Sequence, residues 1–302
     1  MSERNFRDSG HTVALKNLDK LFFPAGGQTK GDLVDYYARV AATALPHYRE
    51  RAVTMHRFPD GIGGEGFYQQ DAPAYYPDWI ARARLAKRDG HVDHVLLDDA
   101  ASLVYIVNQG CITVHTALAR YDKPDHPDRM IFDLDPSDDS FEKVRSGARL
   151  IKTVLDELAL PSFLQTTGSR GLHVVVPLDR EEPFDSVRAF ARDVAAVVAA
   201  RDPAGLTVQQ RKNKRGDAVF IDTLRNAYGQ TAVAPYAVRA IDGAPVATPI
   251  RWDELGAATL HPRRYTIGNL FKRLGQTDDP WASMADSASS LAAARRAMAR
   301  RR

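Results

Sequence analysis

The chain has 302 residues, 44% of them hydrophobic, and its 41 Lys and Arg against 38 Asp and Glu leave a formal net charge of +3. That length and apolar content support a large core in one domain or two close-packed modules, and the charge is too mild to prove a polyanionic partner. One cysteine, Cys111, excludes an intramolecular disulfide and a cysteine-built zinc site; with no signal-peptide core and no apolar run long enough to span a bilayer, the expectation is a soluble, cytoplasmic protein with no membrane partner.

In chain order, Phe22 and Phe23 read as core, and a Pro24-Gly26-Gly27 loop leads into a helix over Thr29–Leu45, where Leu33, Val34, Tyr37, Val40 and Ala41 recur at helical spacing. Arg51–Phe58 reads as a strand entering a Pro59-Asp60-Gly61 turn. The glycine-rich run 61–66 then presents Phe67 and Tyr68, which either pack into the core or stack on a base. Lys87-Arg88-Asp89-Gly90 formally matches the motif of adenylated ligase lysines, but it ends in a turn and reads as chance. A strand follows over His94–Asp99, and the apolar run Ser102–Leu118, which contains Cys111 and His115, fits a buried helix or a buried strand. Residues 1–128 are expected to form an N-terminal α/β module.

Residues 129–240 read more clearly. A strand over Arg129–Leu134 ends in Asp133-Leu134-Asp135-Pro136; residues two apart on a strand share a face, so both carboxylates point the same way. Such a pair suits a hard cation of phosphate chemistry, Mg²⁺ or Mn²⁺, although Asp-Pro before Ser137-Asp138-Asp139 is also ordinary turn chemistry. Asp139 and Glu142 resemble a capping pair for a helix over 140–158. A strand Ser162–Thr166, the turn 167–171, a strand Leu172–Leu178, a helix through Val187–Val198 and a strand Ala218–Leu224 complete a β-α-β-β-α-β order. That order is ferredoxin-like or RRM-like. Its usual sheet order, fourth-first-third-second, places the Asp133 strand between the strands of His173 and Asp222, so three carboxylates and a histidine should meet on one face.

Thr167-Gly168-Ser169-Arg170-Gly171-Leu172-His173 gathers two glycines, a hydroxyl, a cation and an imidazole, a combination able to cradle a triphosphate; its alternative is a plain hairpin turn. Arg211-Lys212-Asn213-Lys214-Arg215 sets four cations in five residues just before the Asp222 strand, fit for nucleic-acid phosphates or simply for solvent. Residues 241–285 are expected as an extension packing on the core, with several turns. Residues 286–302 read as a basic helix or frayed tail. The cleft between the two modules is the expected ligand site.

Together, Phe132-Asp133-Leu134-Asp135-Pro136, Thr167–His173 and Phe220-Ile221-Asp222 resemble, in order and spacing, the three motifs of archaeo-eukaryotic primases. More narrowly, the chain is similar to the polymerase domain of bacterial DNA ligase D. Supporting stretches are Leu18-Asp19-Lys20, Thr29-Lys30-Gly31-Asp32-Leu33, Arg57-Phe58-Pro59-Asp60-Gly61, Thr231–Tyr236 and Asp279-Pro280-Trp281. The resemblance implies a mixed α/β primase-type fold and a ribonucleotide-preferring, primer-extending nucleotidyltransferase. Its substrates would be NTPs or dNTPs and gapped or broken DNA carrying a 5′-phosphate, and its setting bacterial, at the nucleoid when DNA-bound. Ku-type and ligase partners in end joining are also implied.

Carried over by position, Asp133, Asp135 and Asp222 hold two Mn²⁺ or Mg²⁺ ions. Ser169, Arg170, Gly171, His173, His115, Arg239, His56, Phe67 and Tyr68 surround the nucleotide, while Lys20, Lys30, Lys214 and Arg215 meet DNA and its 5′-phosphate. His56 and Gln70 stand where relatives often have Lys, and Thr167 where they usually have Ser. No ligase or phosphoesterase domain accompanies this one, as expected of a stand-alone polymerase or an excised domain. The competing expectations are a DNA-end bridging module with incidental chemistry and a primase that starts strands unprimed.

Overall fold

A computed structural model of the protein describes residues 4–138 and 140–300. Close contacts divide the chain into two units that are not contiguous in sequence. One comprises residues 1–117, 231–247 and 265–276; the other comprises 118–230, 248–264 and 277–302. The boundaries expected at 128 and 240 differ from this division because Thr231–Val233 pairs with Cys111–Ala117 in the first unit's sheet. Among the described residues, no helix is long and apolar enough to cross a membrane.

In the first unit, a four-stranded antiparallel sheet runs in the order Thr231–Val233, Cys111–Ala117, Val53–Arg57, Phe67–Gln69. The helix Lys30–Tyr48 begins at a capping box, Thr29 and Asp32 each satisfying the other's backbone N–H. Its Leu33, Val34, Tyr37, Val40, Ala44 and Tyr48 are buried, and burying each of the Leu and Val side chains stabilises the fold by roughly 1.5–3 kcal/mol. Three of its tyrosines also hold the returning chain: Tyr36 donates to the Tyr236 carbonyl at 2.8 Å and Tyr48 to the Pro235 carbonyl at 2.6 Å, while Tyr37 accepts the Val238 N–H at 2.9 Å.

The ambiguous apolar run resolves into both alternatives, the helix Ala100–Asn108 and the strand Cys111–Ala117, broken at Gly110 with φ +86°. Cys111, Phe22 and Phe23 are core, as expected. The expected strand over His94–Asp99 is displaced: the strand is Gly90–Val95, paired with Arg82–Lys87, and Lys87 and Gly90 close their hairpin. Lys87-Arg88-Asp89-Gly90 is therefore a turn. A hairpin, Arg4–Asp8 with His11–Leu15, precedes all of these; its first strand is largely exposed, while Val13 and Leu15 of the second are buried in the core.

The second unit carries a six-stranded sheet in the order Leu206–Thr207, Val219–Asp222, Arg129–Asp135, Leu172–Pro177, Phe163–Thr166, Thr248–Ile250. Its four central strands follow the expected fourth-first-third-second arrangement. The helices Phe141–Glu157 and Phe184–Arg201 pack on each other and on the sheet. An ideal Cβ built at Gly147 of the first helix lies 3.5 Å from Leu134, so Leu134 points to the helices, and its neighbours Asp133 and Asp135 point away from them.

The expected capping pair is not formed as such. Asp139 lies outside the described residues; Ser140 occupies the N-cap without a side-chain bond, Asp138 accepts the Ser140 N–H at 2.9 Å, and Glu142 pairs instead with Arg145 and Arg149. The strand Thr248–Ile250 on the sheet edge and the helix Leu291–Ala299 come from the two least legible stretches.

Candidate active site

Strand register builds one row of side chains across the second unit's sheet. Asp133 is the partner of Asp222 on one side and of His173 on the other, and His173 in turn faces Gln165. Directly opposed residues in antiparallel strands share a face, so the two carboxylates, the imidazole and the amide form a polar stripe, with Asp135 two positions on. Gln165 is fully buried, and only strand pairing reveals it, since nothing in its local sequence does.

The stripe is under electrostatic tension. Burial, foremost, raises the pKa of Asp222 above its ordinary value; the charges of Asp133 and Asp135 add to the rise, while the Leu224 N–H, which donates to it at 2.7 Å, and Arg225 oppose it. His173 Nε2 stands 3.5 Å from Asp133 Oδ1. Asp135 is drawn aside toward Arg170, whose Nη2 lies 3.4 Å from its Oδ1.

The expected residues therefore share the expected face, yet among the described residues no three His, Cys, Asp or Glu side chains are gathered closely enough to enclose a metal ion. The donor set nonetheless suits a hard divalent cation. Three carboxylate side chains supply only oxygen ligands, and a cation among them would offset the burial and, with it, the like charges that lift Asp222.

The 167–171 turn packs directly on the end of this stripe. Gly168 has φ +66°, and a Cβ at Gly171 would fall 1.9 Å from the Leu134 carbonyl oxygen, so only glycine lets the loop approach. The Thr167 hydroxyl donates to the Gly171 carbonyl at 3.1 Å and accepts the N–H groups of Ser169 and Gly171 at 3.3 and 3.2 Å. It is spent on shaping the turn. Arg170 is left exposed at the tip.

In the basic run, Lys214 is exposed, whereas Arg215 is committed internally. Its guanidinium donates to the Gln209 and Gln210 carbonyls at 2.8 and 2.7 Å and lies 3.8 Å from the centre of the Phe220 ring.

The first unit holds a second group of candidates. His56 stacks flat on Tyr68, with ring centres 4.1 Å apart and planes 5° apart, and His115 meets Tyr68 edge-on at 5.7 Å. Phe67 and Tyr68 are 45% and 62% exposed, which answers the choice between core and surface. Burial, and then the charge of Arg239, lower the pKa of His56. Elsewhere in this unit, Lys30 is buried at the helix start, its ammonium donating to the Lys16 carbonyl at 2.7 Å; burial and the nearby Lys20 lower its pKa to about 8. Lys20 bonds the Pro59 carbonyl at 2.8 Å and pairs with Asp60. An ammonium has three donors, so both lysines keep capacity for an anion.

Residues 29–281 match the family model for the primase-polymerase domain of LigD. The chain is 34% identical, over 94% of its length, to the multifunctional non-homologous end joining protein LigD of Pseudomonas aeruginosa. It is 33% identical over 90% to that of Mycobacterium bovis, and 29% identical over 89% to the bifunctional protein of Bacillus subtilis. It spans 34%, 37% and 43% of the lengths of those three proteins. Among solved structures, the polymerase domain from Mycobacterium tuberculosis Ligase D in complex with DNA superposes with a TM-score of 0.86 at 30% identity, covering 92% of this chain and 99% of that one.

Proposed function

Because the chain belongs to the LigD primase-polymerase domain family, we propose that it is a template-directed, primer-extending nucleotidyltransferase that prefers ribonucleotides and fills gaps in broken DNA during end joining. The observation that carries this reading is the register row Asp222, Asp133, His173, which sets two carboxylates and an imidazole side by side on one sheet face.

On this reading Asp133, Asp135 and Asp222 hold two Mn²⁺ or Mg²⁺ ions. When bound, such ions supply Lewis acidity to the primer 3′-hydroxyl and to the triphosphate in an in-line displacement. The chain's own contribution is position and charge. His173 Nε2 faces the Asp133 carboxylate across the register row. The tight turn through Gly171 holds Ser169 and Arg170 at the end of the carboxylate stripe, where a cation can meet phosphate oxygens. Phe67 and Tyr68 offer exposed faces to a base, with His56, His115 and Arg239 behind them. Lys20 and Lys30 offer two ammonium groups to a 5′-phosphate, while Lys214 lends charge to the DNA backbone and Arg215 shapes the loop that carries it.

The test incubates purified protein with Mn²⁺ or Mg²⁺, each NTP and dNTP, and a gapped duplex with or without the 5′-phosphate. Template-directed addition, stronger with ribonucleotides and stimulated by the phosphate, is expected. Addition on unprimed template would make it a primase, and tight binding with no addition would make it a bridging module.

A further inference from the structure

Beyond the carboxylate stripe, the second unit has an open cavity of about 240 Å³ lined by Pro136, Asp138, Phe141, Ser169, Arg170, His261, Pro262 and Arg263. Its two walls come from segments some ninety residues apart, and the far wall is held in place from behind. Arg145, a buried cation on the helix Phe141–Glu157, donates to the carbonyls of Ala257 and Leu260. That anchors the stretch leading to His261. Arg263 then reaches across, and its Nε donates to the Ser169 carbonyl at 3.0 Å.

Two guanidinium groups thus flank the cavity, Arg170 from the near wall and Arg263 from the far one. Each keeps donors beyond its one named bond, because a guanidinium has five. The acidic groups nearby are already engaged: Asp135 faces Arg170, and Asp138 pairs with Lys143 and accepts the Ser140 N–H. Arg264 adds a further cation next to His261. The remaining wall is apolar, made of Pro136, Phe141 and Pro262. Cationic forks beside a non-polar shelf match a phosphate with a sugar attached.

We propose that this cavity is a phosphate subsite adjoining the carboxylate stripe, with Arg263 as its anchor on the ligand and as the positioning residue for the Ser169-Arg170 turn. The ligand is a phosphate-bearing nucleotide unit, either a backbone phosphate of a nucleic-acid strand or the polyphosphate of a free nucleotide. The inference rests on the polymerase reading for the second source only.

The experiment compares the full chain with Arg263→Ala and Arg263→Lys. It measures the Kd of a primer–template duplex by anisotropy across a salt series, together with the KM of the nucleotide. If the ligand is a strand phosphate, Arg263→Ala weakens duplex binding and shallows the slope of log affinity against log salt by about 0.9. Arg263→Lys restores the slope but not the full affinity. If the ligand is the polyphosphate, KM rises several-fold and the slope stays. Unchanged slope and KM in a variant that melts as cooperatively as wild type overturn the proposal. Should Arg263→Ala fail to fold, Arg263→Gln, which keeps a hydrogen-bonding side chain without the charge, is read in its place. An Arg263-dependent slope in a protein that adds no nucleotide would overturn the polymerase reading and leave the subsite standing.

Discussion

Asp222 and Asp133 are register partners on adjacent antiparallel strands, so the fold holds two carboxylates side by side on one face of a sheet. A fold gains nothing from such an arrangement alone. Burial and the like charges raise the Asp222 pKa, which means that ionised Asp222 costs stability whenever the pH is above both its folded and its unfolded values. Below the unfolded value, near 3.8, both states bind the proton and the cost vanishes. Asp222→Asn is therefore expected to melt higher than wild type at neutral pH, with the difference closing as the pH falls through the carboxylate range. Added Mn²⁺ should raise the melting temperature of wild type and leave that of Asp222→Asn nearly unmoved. A variant that melts lower than wild type at neutral pH would contradict the tension between these carboxylates.

The same stripe carries the chemistry in the proposed function, so Asp133→Ala and Asp222→Ala should lose nucleotide addition to below roughly a thousandth of wild type, the scale on which loss of a charge-stabilising group falls. Duplex binding should persist, because in the proposed function the cations that meet DNA phosphates are elsewhere. Near-normal primer extension by either purified variant would remove these residues from the reaction.

How much of this was legible beforehand depended on the range of the interactions involved. The Arg129–Asp135 strand, the two helices and the three other strands of its β-α-β-β-α-β order show strong local periodicity, and their connection order alone puts Asp133 between His173 and Asp222. What the order does not contain is side-chain placement, so Asp135 turning to Arg170 came only with the structure. Thr248–Ile250 joins the sheet edge through pairing with Leu164–Thr166, over eighty residues away in sequence, and three residues carry no period to read. The Arg4–Leu15 hairpin was missed because its outward strand is short and largely exposed, although Ser9-Gly10, both at positive φ, marks its turn. Arg263 had no signal at all: its meaning lies in the Ser169 carbonyl it reaches.

Gly171 offers a test of the turn's packing. Its backbone φ is ordinary, so only space forbids a side chain, and a methyl would lie 1.9 Å from the Leu134 carbonyl oxygen. Gly171→Ala should destabilise the protein by about 1–3 kcal/mol through overpacking and lower nucleotide addition by shifting Ser169 and Arg170. Gly256, where an added methyl would meet nothing within 4 Å and φ is not positive, is the control; its Ala variant should unfold within about 0.5 kcal/mol of wild type. Equal stability of the two variants in denaturant titrations would refute the close approach.

Lys30 should give the protein a pH signature. Its pKa is lowered to about 8 by burial first and by Lys20 second, so its charge costs stability below that value. Between about 8 and the ordinary 10.5 the folded state has shed the proton while the unfolded state still holds it, and stability rises with pH. Lys30→Met should thus be more stable than wild type at pH 7, with the advantage fading across that window. The preference for a 5′-phosphorylated end that the proposed function implies runs the other way. It should fall by about tenfold or more, the worth of one charged hydrogen bond, as the pH rises through the Lys30 titration. In Lys30→Met the preference should be weak and flat with pH, and a variant that retains the wild-type preference would place the phosphate elsewhere.

His56 lies where the resemblance implies a Lys, and its geometry gives support in place of charge. Burial, then Arg239, lower its pKa below 6.5, so the imidazole is neutral at physiological pH and lies flat against Tyr68 at 4.1 Å. A group with a depressed basic pKa loses stability as the pH falls below its unfolded value, because the unfolded chain takes up the proton first. Wild type should therefore lose stability just below pH 6.5 by a component that His56→Ala lacks. At neutral pH His56→Ala should cost about 0.5–1.5 kcal/mol for the lost stack and raise the nucleotide KM by freeing Tyr68. The wild-type KM should show no step from His56 between pH 6.5 and 8, since no charge is gained or lost there. His56→Lys puts a second permanent cation near Arg239, and should lower KM for the triphosphate while lowering stability. A wild-type KM that climbs steeply over that interval, or a His56→Lys protein with unchanged KM, would show that the imidazole acts through its charge or not on the nucleotide at all.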